Sequence, residues 1–148
     1  MTRIGHSLLD NARVTKVKAT QSSAGTTVDS DSVDMQGYEG VLFLTSIGTA
    51  NSGNFITVQQ SSDDGSSDAF TNLENTKVSS DGTSTDLLAE VYQPQERYVR
   101  CHVDRSGANT TVEAIWAIQF NTRKAPIDNA SPADTEAETH LSPAEGTA

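Results

Sequence analysis

Hydrophobic and polar residues alternate with a period of two along much of this chain, most clearly between Glu96 and Phe120. Val99, Cys101 and Val103 alternate with Arg100 and His102, and Val112, Ala114, Trp116, Ile118 and Phe120 alternate with Thr111, Glu113 and Gln119. A period of two sends successive side chains to opposite faces of a strand, so each run predicts a strand with one core face. The turn-rich segment Asp104-Arg105-Ser106-Gly107-Ala108-Asn109 lies between them, and the whole predicts a β-hairpin.

Upstream, Val14, Lys16 and Lys18 alternate with Thr15, Val17 and Ala19, which predicts a strand at a sheet edge, where lysines discourage unwanted pairing. Gln21 to Gly25 reads as a polar turn. Val41-Leu42-Phe43-Leu44 is apolar on both faces, as in a strand covered from both sides or forming an interface. After a turn over Gly48 to Gly53, Asn54 to Gln60 predicts the next strand of a meander. Ser61 to Asp68 is a polar loop, and Asp68 is placed to cap a short helical turn holding Ala69, Phe70 and Leu73. Leu87, Ala89 and Val91 share one face of a further strand, and Gln93-Pro94-Gln95 makes a tight connection onward. The count of about seven or eight strands with short turn signals predicts an all-β fold, an antiparallel sandwich or barrel.

Three segments follow from composition. Residues 1–12 have no strong periodicity, and Ile4, Leu8 and Leu9 suit an apolar arm, with a strand or helical turn as the alternative. Residues 13–126 carry the strands. Residues 127–148 hold only Ile127 and Leu141 as large apolar groups among Ala, Pro, Thr, Ser, Asp and Glu, which predicts a flexible acidic tail.

A length of 148 residues fits one domain, and a hydrophobic fraction of 34% makes its core thin. Such a core suits a small sandwich or a subunit steadied by partners. The net charge of −10 argues against binding a phosphate backbone, which needs clustered cations. Charge is uneven: residues 1–20 carry Arg3, Arg13, Lys16 and Lys18 against Asp10 alone, whereas residues 127–148 carry five carboxylates and no Lys or Arg. Met1 to His6 lacks the apolar run of a secretory signal, and no segment approaches the ~20 apolar residues of a membrane span. Both facts predict a soluble protein made in the cytoplasm, with no nucleic-acid or membrane partner.

Candidate chemistry is sparse. Cys101 is the single cysteine, so no intrachain disulfide forms, and its neighbour His102 points to the other face of the strand, which defeats a thiolate–imidazole pair. His6, His102 and His140 lie in three separate regions, a poor basis for a metal site. Asp29-Ser30-Asp31-Ser32-Val33-Asp34 lacks the Gly and distal Glu of a calcium loop and reads as a solvated loop, as does Asp63-Asp64-Gly65. No nucleophile elbow, phosphate loop or HExxH helix occurs. The expectation is a chain without catalytic residues, cofactor or metal. Asn109-Thr110-Thr111 and Asn129-Ala130-Ser131 match the glycosylation pattern only by chance, given the absence of a signal. Trp116 reads as a core residue. Arg97, Arg100, Arg105, Arg123 and Lys124 form the one basic concentration, suited to docking or to an ordinary solvated face.

Certain segments, in order, carry a resemblance: Val33-Asp34-Met35-Gln36-Gly37-Tyr38-Glu39-Gly40-Val41-Leu42-Phe43, Val58-Gln59-Gln60-Ser61, Arg97-Tyr98-Val99-Arg100, and Ile115-Trp116-Ala117-Ile118-Gln119-Phe120 closing on Arg123-Lys124-Ala125-Pro126. This order resembles a group of small tailed-bacteriophage virion proteins and is similar to capsid decoration (cement) proteins with β-sandwich or jelly-roll folds. It covers roughly residues 1–126. The resemblance implies a jelly-roll-like sandwich on the outer capsid surface, partnered by the major capsid protein, while the thin core and the doubly apolar strand predict association of its own copies as dimer or trimer. On that reading Arg3, Ile4, Leu8, Leu9, Arg13, Lys16 and Lys18 anchor the chain, by strand addition to an exposed edge, and Arg100, His102, Arg123 and Lys124 offer a second contact. A neck, tail or fibre component is the rival within the virion. A carbohydrate-binding sandwich, which needs Trp116 or tyrosines exposed, is the rival of another class.

Overall fold

After a single helical turn, α1 (Leu8–Asn11), regular structure is all strand. In chain order these are β1 (Arg13–Lys18), β2 (Gln21–Ala24), β3 (Val28–Asp29), β4 (Val33–Asp34), β5 (Gly40–Ser46), β6 (Phe55–Ser61), β7 (Thr71–Asn72) and β8 (Val78–Ser79). β9 (Asp86–Tyr92), β10 (Tyr98–Asp104), β11 (Thr110–Val112) and β12 (Ile115–Phe120) complete them. The structure is a computed structural model and describes residues 7–130, 135–140, 142 and 144–147.

The strands form an all-β antiparallel sandwich. One sheet has four strands in the order β1-β12-β5-β9; the other centres on β10 and β6, flanked by the two-residue strands β3 and β4 on one side and β7 and β8 on the other. A separate ribbon, β11-β2, closes one end and is tied to β5 by a bridge between Ile47 and Val112. No two long strands that follow one another in sequence pair with each other: β5, β9 and β12 lie in one sheet, β6 and β10 in the other. Each long connection therefore crosses the sandwich.

The two inner faces meet in one core. Val41, Phe43, Leu87, Ala89, Ile115 and Ala117 come from the four-stranded sheet; Ile56, Val58, Val99, Cys101 and Val103 come from the other. Phe43 is the largest side chain fully buried there. These residues occupy alternate positions because a pleated strand turns every second side chain inward.

Several local expectations change. Glu96 to Phe120 is not a hairpin, since β10 pairs with β6 while β12 pairs with β1 and β5. The intervening Asp104–Asn109 loop instead carries the chain across the sandwich, held by Arg105, which is buried and donates to the carbonyls of Ser22, Thr26 and Thr110 at 2.7–2.8 Å. Arg105 thus leaves the solvent-exposed basic group. β5 and β6 likewise sit in different sheets rather than a meander.

Within the last run the alternation changes phase. Val112 and Ile115 are both buried, because Glu113 and Ala114 interrupt the strand. The Glu113 amide donates to the Ser46 carbonyl and its own carbonyl accepts from Thr45. One extra residue reverses every face beyond it, so Ile115, Ala117 and Gln119 point inward while Trp116, Ile118 and Phe120 point outward, half-buried. Trp116 is therefore not a core residue.

Gln21–Ala24 is a strand rather than a turn. No helical turn follows Asp68, whose carboxylate accepts from the amide and hydroxyl of Ser62; Thr71 and Asn72 extend beside β6. The acidic run Asp29 to Asp34 is not wholly a solvated loop: Asp29 ends β3 and Val33–Asp34 form β4, both paired with β10, with exposed Asp31 between them.

Candidate functional site: two sheet faces and one sandwich end

The outer face of the six-stranded sheet is closed upon itself. Asp29 on β3 accepts from Arg100 at 3.1 Å and meets His102 Nδ1 at 2.5 Å. Arg100 Nε donates to Gln59 Oε1 at 2.8 Å, Gln59 Nε2 donates to Asn72 Oδ1 at 2.9 Å, and the Arg100 guanidinium lies 4.3 Å from the centre of the Phe70 ring. Thr57, Gln59 and Ser61 are buried in this arrangement. Arg100 and His102, both singled out by the sequence, are thus brought together and already partnered within the chain. Cys101, between them, faces the core, where burial pushes its thiol up to about 12, with Asp29 adding to the effect. Thiol and imidazole lie on opposite faces, and among the described residues no group of three or more His, Cys, Asp or Glu is placed to hold a metal ion.

The outer face of the four-stranded sheet has the opposite character. Register places its outward side chains in rows: Lys16, Trp116, Leu44 and Leu88; then Val14, Ile118, Leu42 and Glu90; then Phe120, Gly40 and Tyr92. The Phe120 ring lies across Gly40, where a Cβ would run into it, and stacks on Tyr92 with centroids 6.5 Å apart. Leu88 and Tyr92 are each 54% exposed, and the rest of the apolar stripe is half-buried. The doubly apolar β5 thus has one covered face and one open one.

One end of the sandwich gathers other predicted residues. Leu8, 64% exposed on α1, shares an open cleft of about 530 Å³ with Phe120, Thr122 and Arg123. Arg123 also borders a second open cleft of about 550 Å³, lined by Tyr38, Pro94 and Arg97. Lys124 is exposed in the same segment, its amide bonded to Thr122.

Leu9 is half-buried, and Asn129 fastens it. The Asn129 amide group donates to the carbonyls of Leu9 and Ala12 at 2.7 and 2.9 Å and accepts from the Val14 amide at 2.9 Å. Arg13 donates to the Asp128 carbonyl at 2.8 Å. Residues 127–130 therefore lie along the outer edge of β1, and Val17 gives its carbonyl to the Asp31 amide. That edge is already occupied at the Val14 amide and the Val17 carbonyl, which takes away some of the backbone groups a partner strand would use. Lys16 is exposed and Lys18 half-buried on the same strand; Arg3 and Ile4 lie outside the described residues. Sequence reasoning passed over Asn129 and the Trp116 face. The doubly apolar Val41-Leu42-Phe43-Leu44 pointed to the β5 part of that face, but the alternation alone placed Trp116, Ile118 and Phe120 on the core side.

No known family pattern matches the chain, and no curated protein matches it. Among solved structures, the fold is similar to that of the PBSX exported protein XepA, with a TM-score of 0.50 and 10% identity over 99% of this chain. The chain spans 46% of XepA, about half its length. The SPBc2 prophage-derived protein YomS gives a TM-score of 0.46 at 10% identity, over 75% of this chain and 94% of that one. Among the described residues, no helix is long and apolar enough to cross a membrane.

Proposed function

We propose that this chain is a non-enzymatic phage virion protein that attaches to the outside of the capsid and steadies contacts between major capsid subunits. The observation that carries the reading is the meeting of Leu8 and Arg123 at one end of the sandwich, where an exposed apolar side chain and an exposed cation border one open cleft. Two sequence regions read separately as capsid contacts come together there, although 115 residues separate them. The resemblance of residues 1–126 to small tailed-phage virion proteins supports the assignment. The net charge of −10 agrees with a place away from packaged DNA. Arg100 and His102 are already engaged by Asp29 within the chain, so the reading rests on the Leu8 and Arg123 end rather than on them.

The test is binding of the purified chain to capsids that lack it. Leu8→Asp and Arg123→Glu are expected to lower occupancy and capsid heat resistance, and the pair together to lower both further. Equal occupancy by wild type and the double variant would remove this end as the contact. The carbohydrate reading gains from the exposed Tyr92 ring, and sugar-dependent change in Trp116 fluorescence would favour it over capsid attachment.

A further inference from the structure

We infer that the outer face of the β1-β12-β5-β9 sheet is where two copies of this chain meet, face to face about a two-fold axis parallel to the strands, with β1 of each copy over β9 of the other. The inference rests on observations other than those behind the proposed capsid contact, although the two surfaces meet at Phe120.

The face is charge self-complementary. Its β1 edge presents Lys16 and its β9 edge presents Glu90 and Asp86, with apolar residues between. Among the described residues neither Lys16 nor Glu90 makes an ion pair within its own chain. A two-fold axis parallel to the strands leaves each row opposite itself, reversed. Trp116 then lies over the partner's Leu44 and Ile118 over the partner's Leu42. Lys16 lies over the partner's Leu88, one row from the partner's Glu90 on one side and the partner's Asp86 on the other. An axis in the sheet plane but perpendicular to the strands would set the two β1 lysines together and the two β9 carboxylates together, which like-charge repulsion disfavours. Edge-to-edge pairing through β1 meets the Asn129 and Asp31 contacts that already occupy Val14 and Val17.

Size sets the strength. Four strands about 4.8 Å apart, with about six residues each at about 3.3 Å, give a footprint of roughly 400 Å². That is about half the ~800 Å² per partner of a standard interface. The dimer is therefore weak and reversible in dilute solution and favoured where copies are concentrated.

Sedimentation of the full chain across micromolar to millimolar concentrations tests this, with circular dichroism as the folding control. A monomer–dimer equilibrium is expected. Lys16→Glu and Glu90→Lys each place repulsive contacts in the dimer, more of them in Lys16→Glu because the partner's Asp86 also faces that position. Lys16→Glu should weaken the dimer by about tenfold or more, and the double variant should bind more tightly than Lys16→Glu alone. Both substituted positions are exposed, so folding is preserved. A monomer at every concentration, a ring of more than two copies, or a dimer whose affinity neither single variant changes would overturn the inference. A double variant that binds no more tightly than Lys16→Glu alone would overturn it as well.

Discussion

Asn129 and Val14 are joined across 115 residues of sequence by a 2.9 Å bond from the Val14 amide to the Asn129 side-chain oxygen. With the carbonyls of Leu9 and Ala12 on its nitrogen, Asn129 uses both ends of its amide to hold the two ends of the chain together. Asn129→Ala leaves three backbone groups short of a partner, one of them buried, and is expected to cost about 1–3 kcal/mol. Chemical denaturation measures that loss. Limited proteolysis should then cut near residues 127–130 first, and an unchanged cleavage pattern would show that Asn129 does not hold this segment.

Arg105 is a buried cation that makes no ion pair among the described residues and instead gives its donors to three backbone carbonyls and the Thr26 hydroxyl. It binds the crossing loop to β2 and β11. Arg105→Met would strand those carbonyls and is expected to cost about 3 kcal/mol or more. Arg105→Lys should recover little of it, because one ammonium cannot reach carbonyls spread around a planar fork. Thermal denaturation of the two variants checks both statements.

Cys101 reports opening of the core. Its side chain is fully buried and burial pushes its thiol up to about 12, so little thiolate exists near neutral pH while the core stays closed. Alkylation of the native protein at pH 8 should be slower than in denaturant by orders of magnitude. Destabilising variants such as Arg105→Met should accelerate it in step with their loss of stability. Rapid native alkylation would contradict the packing described for β10.

Acid should loosen the loops and short strands first. Asp34 is held below the usual carboxylate range mainly by the Arg97 guanidinium, which grips it at 2.8 and 2.9 Å, with the Gln36 amide adding to the effect against partial desolvation. Asp63, Asp81 and Asp104 are also lowered, each chiefly by hydrogen bonds from neighbouring residues. A carboxylate whose folded value lies below its unfolded one stabilises the fold above the unfolded value, and that contribution disappears as pH falls through the folded one. Stability should therefore be flat from neutral pH to about 5 and decline below about 4. Asp34→Asn should shallow the decline without moving its onset, and the gain is small because the pair is half-exposed. A pH series of unfolding curves reads this directly.

Val99, Cys101, Val103, Leu87 and Ala89 were legible in the sequence because each strand is continuous and its buried face strictly alternates. Lys16 was legible as an edge residue because its charge discourages unwanted pairing. The inversion at Glu113–Ala114 was not, since no Gly or Pro marks it and the hydrogen bonds that sustain it are made with the Thr45 hydroxyl and the Ser46 carbonyl, far away in sequence. Turn residues announce that the chain turns but not which sheet receives it, so the crossing at Asp104–Asn109 read as a hairpin. Asp29 looked solvated because its partners, Arg100 and His102, come from a strand about seventy residues later. At the sandwich end, Leu8 and Arg123 were each recognisable, but their proximity depends on the return of the chain past β12.

The most direct test of the functional account is the number of copies of this chain in purified phage particles, counted against the major capsid protein and located by image reconstruction. The account predicts a copy number comparable to that of the capsid protein, with the sandwich end bearing Leu8 and Arg123 seated on the outer shell. Absence from particles, or a few copies confined to the neck or tail, would contradict it.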